Sequence, residues 1–472
     1  MVKKAKIILP MAMLCLTLTA CGNKRPIYTG DKIVVKPAVN VQEGSFKVNS
    51  ITKPAAKTNI EAKQIKANTP IMSPYAQSFS PAKQKVYSEM LATVLSASTN
   101  YIPSETLSAE DAKKMVRIIM LDEPRAYALK KQYVYKTDDK GNIKEILFNY
   151  SNYLTTEAAK DAYKESINRS WSEDDKEDKV ALESFKSLVD TRPKDDTNAK
   201  MFLAKIYASS NGDEDSSNSD DFVNAHLSQF LADIQDTVFA PYYHYNPSEE
   251  GYAKAFNGLL REQSIQAVSV YGERTSEYNL ENYKIAVFDG FKEVEEKVED
   301  GIRVTVDSNS INTWNMFKID NVWNNADIVL GKYALATLQS KNENIDNLYF
   351  GYGLSDEQLS VSRLSYYNED ILGVCPMSVE TALNSAKDSE KVIFIEDSTD
   401  SRLSDDLAKV ITDKSEDDYL IFSFAQLDVF NTFVLSKDML MNKYYEQQLI
   451  KFQNYDTIVI PDIQTVCLYN LK

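Results

Sequence analysis

Three residues raise the question of chemistry: the carboxylates Glu249 and Asp327 and the carboxamide Asn312. Pro247-Ser248 precedes Glu249-Glu250-Gly251-Tyr252-Ala253-Lys254-Ala255-Phe256, which reads as a helix with Ser248 as N-cap and both glutamates in its first turn. The positive end of a helix favours an anion there by about 0.3–1 kcal/mol. Asn312-Thr313-Trp314-Asn315-Met316, then Trp323 and Asp327, read as two consecutive strands. Two carboxylates in one cleft, Glu249 and Asp327, can divide the roles of acid and base, as in glycoside hydrolysis. Asn312 has no titrating nitrogen and supplies no base. Thiol and imidazole chemistry is poorly provided for, because the chain has only two histidines and four cysteines. His226 and His244 stand outside the motif, and Cys375 and Cys467 lie well beyond it. For that last pair a disulfide and two buried thiols both fit. No Cys-x-x-Cys or His-x-x-x-His spacing points to zinc, and no cofactor or metal is expected.

Laid side by side, these phrases resemble the transglutaminase-like branch of the papain-like cysteine enzymes. The family opens a helix with Cys-x-Gly-Tyr-Ala and follows it with a His-x-Trp-Asn strand and a strand ending in Asp. The resemblance puts Glu249 at the nucleophile position, Asn312 at the base position and Asp327 at the orienting position. It implies a papain-like core whose frame is kept and whose nucleophile and base are gone. Tyr252, Trp314 and Trp323 are then candidates to line the cleft, although plain core packing suits both tryptophans. Asn347-Leu348-Tyr349-Phe350-Gly351 and the Leu354-Ser355-Asp356-Glu357 that follows resemble the segment closing the family's domain. A glutamate is a poor substitute for a thiolate nucleophile. The implied activity is therefore none: a non-catalytic binding or scaffold module. A hydrolase using Glu249 and Asp327 is the alternative, and a structural spacer is a third reading.

The elements that position these residues follow from periodicity. Residues 82–97 carry apolar side chains at helical spacing, and Ser108 with Asp111 forms a capping box for a helix ending before Pro124. Tyr127 to Tyr150 alternate around Asp138-Asp139-Lys140-Gly141-Asn142 as a hairpin. Residues 155–207 read as two helices broken near Arg192-Pro193, and 209–221 as an exposed loop. An amphipathic helix over 222–234 carries His226. Strands are expected at 267–271, 283–288, 302–306, 313–319 and 322–329, with 291–300 as a short exposed helix or ribbon. Beyond residue 370, helices at 379–387, 401–412 and 438–452 alternate with strands at 392–396, 419–424 and 457–460, an α/β rhythm. It has no glycine-rich phosphate loop. The expected class is α+β: a transglutaminase-like core over 222–370, a helical and hairpin lead-in over 82–221, and a C-terminal α/β module over 371–472.

The amino end reads as an address. Lys3, Lys4 and Lys6 precede an apolar run from Ile7 to Leu18, then Leu18-Thr19-Ala20-Cys21-Gly22. The last phrase resembles a bacterial lipobox, with residues 1–20 removed and lipid added to Cys21. The run is too short for an ordinary spanning helix. Residues 21–81, rich in Lys, Pro, Ala, Asn, Thr and Ser, read as a tether. A flexible coil of roughly 60 residues averages about 40 Å end to end. Residues 33–35 or 45–48 are candidates for a short strand against the body. The expected location is the extracytoplasmic face of the cell membrane, through lipid on Cys21. An envelope protein or peptidoglycan is the expected partner. The net charge of -16 speaks against nucleic acid.

Overall fold

The computed structural model describes residues 27–29, 32–34, 72–167, 176–191, 195–211, 216–274, 291–308, 312–340, 350–354, 419–460 and 463–472. It also describes short pieces at 359, 363–364, 372, 392–395, 407–408 and 410–411. Contacts divide the chain into Met1–Ile65 and Lys66–Lys472. In the first unit Lys32–Val34 pairs antiparallel with Ile27–Thr29, so the short strand expected there has a local partner. The stretch 45–48, the signal-like segment and most of the expected tether lie outside the described residues.

The second unit is a mixed α+β structure organised on the helix Glu249–Glu262. Residues Glu250 to Arg261 of that helix are all buried, so it is covered on every side. One flank meets a five-stranded antiparallel sheet ordered Tyr352–Leu354, Val322–Ala326, Asn312–Ile319, Ala267–Arg274, Arg363–Leu364. Its central hairpin turns through Asp320 and Asn321, both at positive φ (50° and 69°), the backbone that a tight two-residue turn needs. Other flanks meet the helices 157–167, 177–190, 197–211 and 216–234, which share a core with Phe256, Leu259 and Leu260.

The lead-in is not separate from this body. Hairpin strands Leu129–Thr137 and Ile143–Tyr150 belong to a second sheet, ordered Asn100–Tyr101, Ile143–Tyr150, Leu129–Thr137, Gly301–Asp307, Lys292–Val298. Gln132 to Tyr135 pair with Ile302 to Thr305, across the boundary expected near residue 221. Residues 292–298, expected as a helix or ribbon, form the outer strand, and their charged Lys and Glu side chains suit a sheet edge. The expected strand 283–288 lies outside the described residues.

Two expectations for the helical layer change. Among the described residues, 155–207 hold three helices rather than two, and the described part of the expected loop 209–221 belongs to the ends of helices Thr197–Asn211 and Ser216–Ile234. Polar residues there extend helices whose other positions, Ile206, Val223, Phe230 and Ile234, are anchored in the core. The body also begins earlier than residue 82. Pro74–Gln77 is a short helix, Tyr75 is buried, and its hydroxyl donates to the Ser269 carbonyl at 2.7 Å. Ser73 donates to Asp122, whose carboxylate also accepts from Arg261, Asn257 and the Ser269 amide. That buried knot ties the amino-terminal segment, the 109–122 helix, the central helix and the strand Ala267–Arg274 together.

A third sheet, ordered Val392–Ile395, Tyr419–Phe424, Thr465–Tyr469, Asp456–Ile460, is parallel at its first pair and antiparallel at the others. The helix expected at 438–452 spans Leu427–Glu446, and the strand Thr465–Tyr469 adds to the expected pattern. The expected helix 379–387 lies outside the described residues.

Candidate functional site

The site begins at the amino end of the central helix. Ser248 Oγ accepts from the Gly251 amide (3.0 Å) and donates to the Gln235 carbonyl (3.0 Å), fixing both the helix start and the loop before it. Gly251 is required by space. A Cβ there would lie 2.7 Å from Ala240 Cβ and 2.7 Å from the Gln235 oxygen. Only a bare α-carbon lets the first turn close on residues 235–240.

Glu249 reaches from this first turn to the start of the strand Asn312–Ile319. Asn312 Nδ2 donates to both carboxylate oxygens, at 3.0 and 2.9 Å, and the Thr313 amide donates to one of them at 2.8 Å. The free direction of that amide follows from strand register. Lys318 N–H bonds the Gln266 carbonyl, so residues 318, 316, 314 and 312 turn their N–H toward the strand Ala267–Arg274. Residues 317, 315 and 313 turn theirs the other way, toward Val322–Ala326. Pairing on that side stops at Ala326 opposite Asn315. Thr313 is buried beyond the last described pair of that ladder, and its N–H is taken by Glu249. Glu249 and Asn312 hold each other through a carboxylate and a carboxamide, a pair with neither a thiol nor an imidazole.

Asp327 has a different task. It is fully buried, its Oδ1 accepts from the Leu330 amide (2.8 Å), and it caps the helix Ile328–Gln339. The strand expected to reach Val329 stops at Ala326, because the capping carboxylate starts the helix two residues on. Gly351, at φ +94°, passes so close that a Cβ would lie 2.4 Å from the Asp327 carbonyl oxygen. The structure therefore brings Glu249 and Asn312 together and sets Asp327 in a helix cap.

The aromatics expected along a cleft are mostly core. Tyr252 is buried with Phe256 and Leu259, with Lys332 Nζ 5.0 Å above its ring. Trp314 is buried with Val270 and Met316 in the other main core, and Trp323 packs half-buried against that same core.

A cluster that the sequence reading missed lies beside Glu249. Lys131 Nζ donates to Asp236 (2.6 Å), Glu250 (2.9 Å) and Ser308 Oγ (2.7 Å), which uses all three ammonium protons. Ser308 in turn donates to Glu250 (2.7 Å), and Lys254 donates to the other Glu250 oxygen (2.8 Å). A serine against a lysine suggests a nucleophile with its base. The charges forbid it. Burial pulls the Lys131 ammonium down, yet the two carboxylates more than reverse this and hold it well above the usual lysine range. Burial likewise opposes ionisation of Asp236, but Lys131 outweighs it and keeps Asp236 below the usual carboxylate range. A lysine that stays protonated activates no serine. The Glu250–Lys254 spacing of four on a helix was the visible signal. Lys131 and Asp236 gave none, being 119 and 105 residues from their partners.

The histidines and the described cysteine offer no substitute. His226 packs its ring on Phe222 (4.2 Å) and Tyr153 (6.1 Å). His244 is buried, its Nδ1 accepts from the Asn246 amide, and burial pushes its pKa down. Cys467 is a free thiol, buried and pushed up to about 12 by burial, whereas Cys375 lies outside the described residues. Among the described residues no group of three or more His, Cys, Asp or Glu is placed to hold a metal ion. No protein-family model matches the chain, and no curated protein matches it.

Proposed function

We propose that this chain is a cell-envelope lipoprotein with a degenerate transglutaminase-like core that binds or scaffolds without catalysis. Its partner is an envelope protein or the peptide part of peptidoglycan. The observation that carries the reading is the Glu249–Asn312 contact, with Thr313 N–H completing it. A helix amino end meets a strand start, as the family's nucleophile and base must, but the meeting groups are a carboxylate and a carboxamide. The lipobox-like phrase ending at Cys21 supports the location: the extracytoplasmic face of the membrane. No helix among the described residues is long and apolar enough to cross a membrane. The carboxylate-pair hydrolase is the weaker reading, because Asp327 is fully buried and committed to a helix cap.

Incubation of the chain with purified sacculi tests the reading, scoring retained protein and released fragments. Retention without release is expected. Release that disappears on Glu249→Ala would replace a binding module with a hydrolase. A second arm tests the frame itself with Glu249→Cys and Asn312→His together. Alkylation rate against pH should report a thiol pKa below the free value of about 8.5. An ordinary thiol would argue against the alignment with the family.

A further inference from the structure

The loop that leads into the central helix carries a device independent of what the site binds. His244 follows the short helix Ala240–Tyr243, and its buried imidazole accepts at Nδ1 from the Asn246 amide, at 2.9 Å. A neutral ring that accepts at Nδ1 carries its hydrogen on Nε2. The turn so closed is pinned at both ends. His244 N–H bonds the Ala240 carbonyl, and Ser248 bonds the Gln235 carbonyl through both its N–H and its Oγ. Between these anchors Tyr245 and Asn246 are exposed, so this piece can move outward without opening a core. Tyr245 stacks on the His244 ring, with 5.0 Å between centroids.

We propose that His244 is a proton-operated clasp: a proton at Nδ1 releases the Asn246 amide and frees residues 245–247, the approach to Ser248 and Glu249. The proton turns an acceptor into a donor, and two N–H groups then face each other where a bond had been. Burial opposes the charged ring and holds its pKa below the ordinary histidine value. Asp236 acts in the opposite sense, but it is ion-paired with Lys131 at 2.6 Å. Two further helices pack against Ala240–Tyr243. The central helix brings Glu249, held by Asn312 and Thr313, and Glu250, held by Lys131 and Lys254. The helix Thr197–Asn211 sends the neutral Asn198 to the Tyr242 carbonyl. The contribution of the clasp to stability is full above the unfolded value near about 6.5 and is lost as pH falls through the lower folded one. His226 is no second clasp, because its Nδ1 has no hydrogen-bond partner to lose.

With only two histidines in the chain, each ring can be followed by itself. The full chain is labelled at the histidine rings, and His226→Gln assigns the two Hε1 signals. Hydrogen exchange, resolved to the Asn246 amide by fragmentation mass spectrometry, is measured over the same pH range and corrected for the intrinsic effect of pH. Protection at Asn246 should fall at least about tenfold between about pH 7 and about pH 4.5, in step with the His244 signal. His244→Asn keeps an acceptor close to the Nδ1 position and cannot titrate, so its protection should stay level. His244→Leu has no acceptor and should be unprotected throughout. Protection that survives titration of His244, or an equal loss in His244→Asn, overturns the clasp. So does a His244 ring that stays neutral across the whole range.

Discussion

Glu249 and Lys131 show how a charge at a position that looks chemical can be held by several protein partners. Glu249 accepts from Asn312 and Thr313, and Lys131 donates to Asp236, Glu250 and Ser308. Removing Lys131 leaves two carboxylates short of their counter-charge, and Lys131→Met should cost about 3 kcal/mol. The pH dependence has a definite sign. Asp236 is depressed, so its contribution is present above the unfolded value near about 3.9 and is lost as pH falls through the lower folded one. Lys131 is raised, so its contribution is full below about 10.4 and is lost as pH rises through the higher folded value. Urea midpoints at pH 7 and pH 3 check this. Wild type should lose more between them than Lys131→Met, and equal losses would show that acid acts elsewhere.

At the scale of elements, the central helix decides the site because both its start and its surroundings are fixed. Gly251→Ala should cost about 1–3 kcal/mol, since the added methyl meets Ala240 and the Gln235 carbonyl and neither can retreat cheaply. Calorimetric melting would show it, and an unchanged midpoint would mean that the loop 235–240 yields freely. Much at this scale was legible. Ser248, the capping box at Ser108 and Asp111, and the hairpin around Gly141 are local devices, and each appears where its residues place it. The end of the strand Val322–Ala326 was misread although its signal was present. Asp327 before Ile328, Val329 and Leu330 is an N-cap before an apolar run.

Across the whole second unit, the cores do not respect the expected partition. Val392, Phe394, Tyr419, Ile421 and Ile458 from beyond residue 370 share one core with Trp314, Met316 and Leu354. The opposite face of the same sheet, including Ile393, Leu420 and Phe422, is covered with Phe430 and Phe433 of the helix Leu427–Glu446. A chain ending at residue 370 would expose the first of these faces. It should lose cooperative urea unfolding and its near-ultraviolet dichroism; a truncated chain that melts cooperatively would show an independent core.

The sequence by itself determined which groups are present: a carboxylate at 249, a carboxamide at 312, and too few thiols and imidazoles to replace them. It also determined the local starts and turns, because caps and hairpins act over a few residues. Only the tertiary structure decided that Glu249 meets Asn312 across 63 residues, that Lys131 closes a five-residue charge cluster, and that Asp327 is buried in a cap. Those outcomes depend on strand register and on which faces pack together, and both are set by contacts between segments far apart in the chain.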